Sequence, residues 1–136
     1  MPEFAEIAKL GHTRAELEGQ SRDARIVVDD LTVEQKKIDS DVEQVKARRV
    51  RDRNRMDQGL VNNPKDLERM QHELVSLERR ITALEDEELE VMERLETAQA
   101  EVSSLQAKLA AIQDQGAGLT RSRDEKAAAI RDQSAS

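Results

Sequence analysis

The chain has 136 residues, with one Phe, no Trp, no Tyr and no Cys, 38% charged residues and a net charge of −7. That composition excludes an aromatic-filled globular core, a disulfide framework and a thiolate metal site. Apolar runs are short, such as Leu109-Ala110-Ala111-Ile112, so nothing reads as a membrane span or signal peptide, and the expected location is the cytoplasm.

The apolar residues are periodic, and Ala, Leu, Glu, Gln, Lys and Arg dominate, which favours a long coiled coil over disorder. Residues 1–58 read as a first helix. Pro2, Glu3 and Glu6 suit its start, where proline is tolerated and acids favour the helix dipole. Positions a and d of a seven-residue repeat are apolar at Ile7, Leu10, Leu17, Ala24, Val28, Leu31, Ile38, Val42, Val45 and Met56. Arg14, Ser21, Gln35, Arg49 and Asp52 interrupt this seam. Gly11 and Gly19 each cost about 1 kcal/mol relative to Ala in a helix, so residues 1–25 are expected to be the more mobile end.

Residues 59–63 read as a bend. Gly59 takes a left-handed backbone without steric cost, Asn63 can cap a following helix, Pro64 fits its first turn and Asp66 complements its positive end. A stutter in one continuous helix would produce the same four-residue shift of heptad phase. Pro64 argues against it, since proline inside a helix costs about 3 kcal/mol or more.

Residues 64–115 read as the second, paired helix, with a stronger seam from Leu67 to Ile112 that only Glu88 interrupts. Past Ile112 the pattern decays. Gly116 and Gly118 suggest a kink, a hinge or the end of the packed coil, and residues 116–136 read as a weakly paired or frayed extension. The expected fold class is all-α: a long antiparallel two-helix coiled-coil hairpin.

Pairing the helices about the centre of the bend joins residues whose numbers sum to about 122. This puts Leu10 opposite Ile112, Leu17 opposite Leu105, Leu31 opposite Val91 and Val45 opposite Leu77. It also puts Gln35 opposite Glu88 and Arg49 opposite Glu73, and leaves residues 117–136 without a partner inside the chain.

The runs Asp41-Val42-Glu43-Gln44-Val45-Lys46-Ala47-Arg48, Pro64-Lys65-Asp66-Leu67-Glu68, Gln71-His72-Glu73-Leu74 and Glu87-Glu88-Leu89-Glu90-Val91-Met92-Glu93-Arg94-Leu95-Glu96 resemble the coiled-coil region of bacterial, particularly actinobacterial, C4-type zinc-ribbon proteins. The resemblance is best over residues 38–100. It implies a helical hairpin with a further helical segment before it and a zinc ribbon of two Cys-x-x-Cys pairs after it, so the sequence reads as the hairpin portion of a longer protein. It implies zinc only for that ribbon, and this chain is expected to hold no cofactor. It also implies protein partners, including chaperone-like roles, or RNA binding.

Residues 46–80 carry ten basic groups against six acids. Lys46, Arg48, Arg49, Arg51, Arg53, Arg55, Lys65 and Arg69 therefore form either a tip that binds an acidic protein face or a phosphate backbone, or a solvated face of helix-spaced ion pairs such as Asp52 among its arginines. With no aromatic residue nearby, base stacking is unavailable there. The acidic run Glu85-Asp86-Glu87-Glu88, with Glu90, Glu93 and Glu96, is expected to pair with Lys36, Lys37 and Arg25 rather than to bind a metal.

His12 and His72 face away from the seam and read as ordinary exposed histidines. Val27, Val33, Val75, Leu89 and Met92 lie off the seam as a strip through which two hairpins could associate, so the chain is expected to be a monomer or a dimer of hairpins. No nucleophile, base and orienting acid converge, and an enzyme is not expected. The leading functional reading is a non-enzymatic module that binds a protein partner, and the alternative is a nucleic-acid-binding accessory protein using the basic tip.

Overall fold

A computed structural model describes residues 2–135, and side chains as far as Arg131. Met1 and Ser136, the outermost residues of the predicted first helix and extension, lie outside the described residues. Two helices account for the fold: α1 (Pro2–Asp57) and α2 (Pro64–Ala135). They form the coiled-coil hairpin expected from the seam.

The bend is built by its own residues. Gly59 has φ 68°, its N–H donates to the Met56 carbonyl at 3.1 Å, and the Leu60 N–H donates to the Arg55 carbonyl at 3.0 Å. Those two bonds close α1 in a Schellman motif, satisfying carbonyls that the helix end would leave bare. On the far side, Asn63 Oδ1 accepts from the Lys65 N–H at 2.9 Å. The Asn63 carbonyl accepts from the Leu67 N–H at 2.9 Å, so Asn63 caps α2 with Pro64 at its first position.

Packing divides the chain into two units: Val28–Glu96, which includes the bend, and the residues before and after it. Within Val28–Glu96, Ile38, Val42, Leu84 and Val91 form a buried cluster, with Leu31 and Val45 against it. Val91 is 2% exposed and Asp52 only 8%. Asp52 is therefore a seam residue rather than a member of a solvated ion-pair face, and its Oδ2 has no hydrogen-bond partner.

In the other unit, Ser21 is buried on α1, and Ala98 and Leu105 are buried on α2. α2 continues through Gly116 and Gly118 to Ala135. Leu119 is half-buried, and two side chains beyond it have partners on α1. Lys126 pairs with Glu3, and the Arg123 guanidinium lies 5.3 Å from the centre of the Phe4 ring. Residues 117–126 thus lie against the start of α1, contrary to the expectation that they lack a partner.

The same contacts correct the register. Asp39 lies beside Glu88 and Phe4 meets Arg123, pairs whose numbers sum to 127 rather than 122. The longer pairs Arg48–Glu73 and Arg53–Glu78 reach to either side of that value. The reason is geometric. Seam positions advance by three and then four residues along one helix. In an antiparallel partner read backwards, three must meet three and four must meet four. Only layers that join an a position to a d position satisfy this, and they give a constant sum of about 126. The Leu31–Val91 and Val45–Leu77 pairings joined d to d, and so drifted out of step.

Candidate functional site

The predicted basic tip separates into residues with different surroundings. Arg48 and Arg53 cross from α1 to ion-pair with Glu73 and Glu78 on α2. Arg49 is half-buried in the seam. Lys46 is half-buried beside Asp39, Glu43, Glu85 and Glu88. Arg69 stands 3.8 Å from Asp66. Arg51, Arg55 and Lys65 are exposed.

What the hairpin end gathers instead is a mixed surface. Arg55, Leu60, Val61, Asn62, Asp66, Arg69, Met70 and Glu73 line a concavity of about 350 Å³. Leu60 is 63% exposed, because the bend that satisfies its backbone points its side chain away from the seam. The two arginines stand among two acids and three apolar side chains, so the surface is neither purely cationic nor purely greasy. The signal for Leu60 was present in the sequence, as an apolar residue directly after the left-handed Gly59.

The corrected register sets Lys36 level with Glu90, Lys37 with Leu89 and Arg25 with Glu101, so these three lie beyond the run Glu85–Glu88 and level with the acids that follow it. Glu88 faces Asp39 instead. The hydrogen bond to Asp39, then loss of hydration, then the charges of Asp39 and Glu85 hold the Glu88 carboxyl above its ordinary 4.5, with Lys46 opposing. Glu3 is displaced the other way. The hydrogen bond from Lys126 is the main cause that lowers it below 4.5, although Glu3 is only 8% exposed and its Oε2 lacks a partner.

The histidines are exposed and lie beside acids of their own helix, His12 at 3.0 Å from Glu16 and His72 at 3.8 Å from Glu68. Among the described residues, no group of three or more His, Asp or Glu could hold a metal ion, and a chain without cysteine has no donors for a four-cysteine zinc site. Among the described residues, no helix is long and apolar enough to cross a membrane.

Val27, Val33, Val75, Leu89 and Met92 are all exposed. The corrected register sets Val33 level with about residue 93 and Val75 level with about residue 51, and Val27 belongs to the other packing unit.

Two helices joined by a capped bend, with buried a and d layers along both, match the family described as CT398-like coiled coil hairpin domain over residues 1–136. The chain belongs to that family. This CT398-like hairpin is similar to Uncharacterized protein Rv2229c of Mycobacterium tuberculosis (strain ATCC 25618 / H37Rv), at 37% identity over 106 residues, covering 78% of this chain and 43% of that protein. Uncharacterized protein MT2288 of M. tuberculosis (strain CDC 1551 / Oshkosh) matches with the same identity and coverage. A solved structure from Mycobacterium smegmatis superimposes with a TM-score of 0.80 at 28% identity, over 97% of this chain and 54% of that one. The CT398-like hairpin thus spans less than half the length of the curated relatives it matches.

Proposed function

We propose that this CT398-like hairpin is a non-enzymatic protein-interaction module whose bend docks a protein partner. The observation that carries this reading is the exposed Leu60 beside Arg55 and Arg69, with Asp66 and Glu73 in the same concavity. An apolar anchor ringed by charges of both signs suits a protein surface, where an apolar side chain is buried within a polar rim. A phosphate backbone asks instead for a row of unpaired cations. Arg48 and Arg53 are engaged by Glu73 and Glu78, which leaves fewer of them for such a row.

The test is a photo-reactive residue placed at position 60 in cells that make the protein. We expect a discrete protein adduct that survives nuclease and is lost in an Arg55→Glu, Arg69→Glu variant. Adducts that vanish with nuclease, together with RNA affinity that falls by orders of magnitude between low and moderate salt, would replace this reading with the nucleic-acid one.

A further inference from the structure

We infer that a second copy of this chain docks antiparallel on the outer face of α2, about a twofold axis through Thr82. Glu68, Val75, Thr82, Leu89 and Glu96 fall at seven-residue intervals and are all exposed, so they form one stripe on the side of α2 turned away from α1. Val75 and Leu89 are 48% and 58% exposed. Read in either direction, the stripe has the same order of residue classes: acid, branched apolar, threonine, branched apolar, acid. A twofold axis at Thr82 therefore sets Val75 on Leu89 of the second copy and Leu89 on its Val75, the self-complementarity that such an interface requires.

The flanking charges choose the direction. On one flank lie Arg79 and Asp86, both exposed, three residues before and four after Thr82. Antiparallel docking brings Arg79 to Asp86 of the second copy, and this happens twice. Parallel docking in register would set Arg79 on Arg79 and Asp86 on Asp86. On the other flank, Glu78 would approach Glu85 of the second copy, but Glu78 is already ion-paired with Arg53, whose guanidinium then serves both acids.

At the axis, Thr82 Oγ1 donates to the Glu78 carbonyl at 3.1 Å, so burying this hydroxyl strands no hydrogen bond. Glu68 and Glu96 of the second copy meet at the exposed rim, where water and salt screen their repulsion. The apolar stripe is narrow, so the association is weak and depends on concentration.

The chain has no native cysteine, so single cysteines report on the arrangement directly. Thr82→Cys is expected to form a disulfide-linked dimer under mild oxidation, and Val75→Cys mixed with Leu89→Cys to form a mixed dimer. Light scattering on the parent should show a mass rising from 15.4 kDa toward twice that value with concentration. Leu89→Lys should weaken association by about tenfold or more. Arg79→Asp and Asp86→Arg should each weaken it, and the double exchange should restore it. All these positions are exposed, and circular dichroism would verify that each variant keeps its helices. A single mass of 15.4 kDa into the millimolar range, or Val75→Cys cross-linking to itself as readily as Thr82→Cys, overturns the proposal.

Discussion

Asp39 on α1 faces Glu88 on α2, and a hydrogen bond from the protonated Glu88 carboxyl to Asp39 is the main cause that raises that carboxyl above its ordinary value. Because the Glu88 carboxyl is raised above 4.5, its stabilising contribution is complete below that value and is lost as the pH climbs through the raised one. Over a rise from about pH 4 to pH 7, a Glu88→Gln variant, whose amide keeps a donor at every pH, is expected to lose less thermal stability than the parent. Parallel melting curves across that range would mean that the pair shares no proton.

Glu3 follows the opposite course. Lys126 lowers its carboxyl below 4.5, so its contribution is present above that value and disappears as the pH falls through the lowered one. Glu3→Gln should therefore increase hydrogen exchange in the first turns of α1 at neutral pH. The difference from the parent should fade as the pH drops below 4.5. A difference that persisted unchanged in acid would assign the effect to packing rather than to the ion pair.

Asp52 is a carboxylate in the seam with an oxygen that nothing satisfies. Leaving such a group buried costs about 1–3 kcal/mol, so Asp52→Leu should raise the stability of the hairpin by an amount in that range. Thermal or urea unfolding measures it directly. A loss of stability would show that Asp52 has a partner which holds the bend in place.

Glycines in different places should respond with opposite signs. Gly116 is helical, with open space where an alanine methyl would stand, so Gly116→Ala should stabilise by about 0.5–1 kcal/mol. Gly59 has a positive φ, and Gly59→Ala should destabilise by about 1–2 kcal/mol. Unfolding midpoints of the two variants should move to either side of the parent.

The crossing pair Arg53–Glu78 is about half exposed at both ends. A double-mutant cycle with alanine should return a coupling of about 0.2–1 kcal/mol, shrinking as salt is added. A coupling unmoved by salt would point to packing of the arginine stem instead.

Much of this fold was legible because the heptad reports which face is buried. Ile38, Val42, Leu84 and Val91 were all assigned to the seam, and all four form its buried cluster. Gly59, Asn63 and Pro64 likewise announced the bend by chemistry that acts within a few residues. The register was harder, because a seam shows what is buried without showing which layer of the partner it meets.

Matching a layers to d layers carries the pattern back from Ile7 to Glu3 and sets it level with Arg123, so the start of α1 could have been placed. Phe4 gave no such signal, being exposed on the helix and ordered by a cation above its ring. Asp39 lies one position past the seam residue Ile38, so only the register reveals that it faces Glu88. The mixed character of the bend surface was hidden because Arg48 and Arg53 look free in sequence and are engaged only by residues 25 positions away.

The constant-sum layering also acts as a rule for how such a chain can change its length. A residue gained or lost in one arm throws every layer beyond it out of step with the other. Losses and gains among relatives should therefore come in sevens and in matched pairs, one on each side of Gly59–Asn63, with the capped bend itself passed on unchanged.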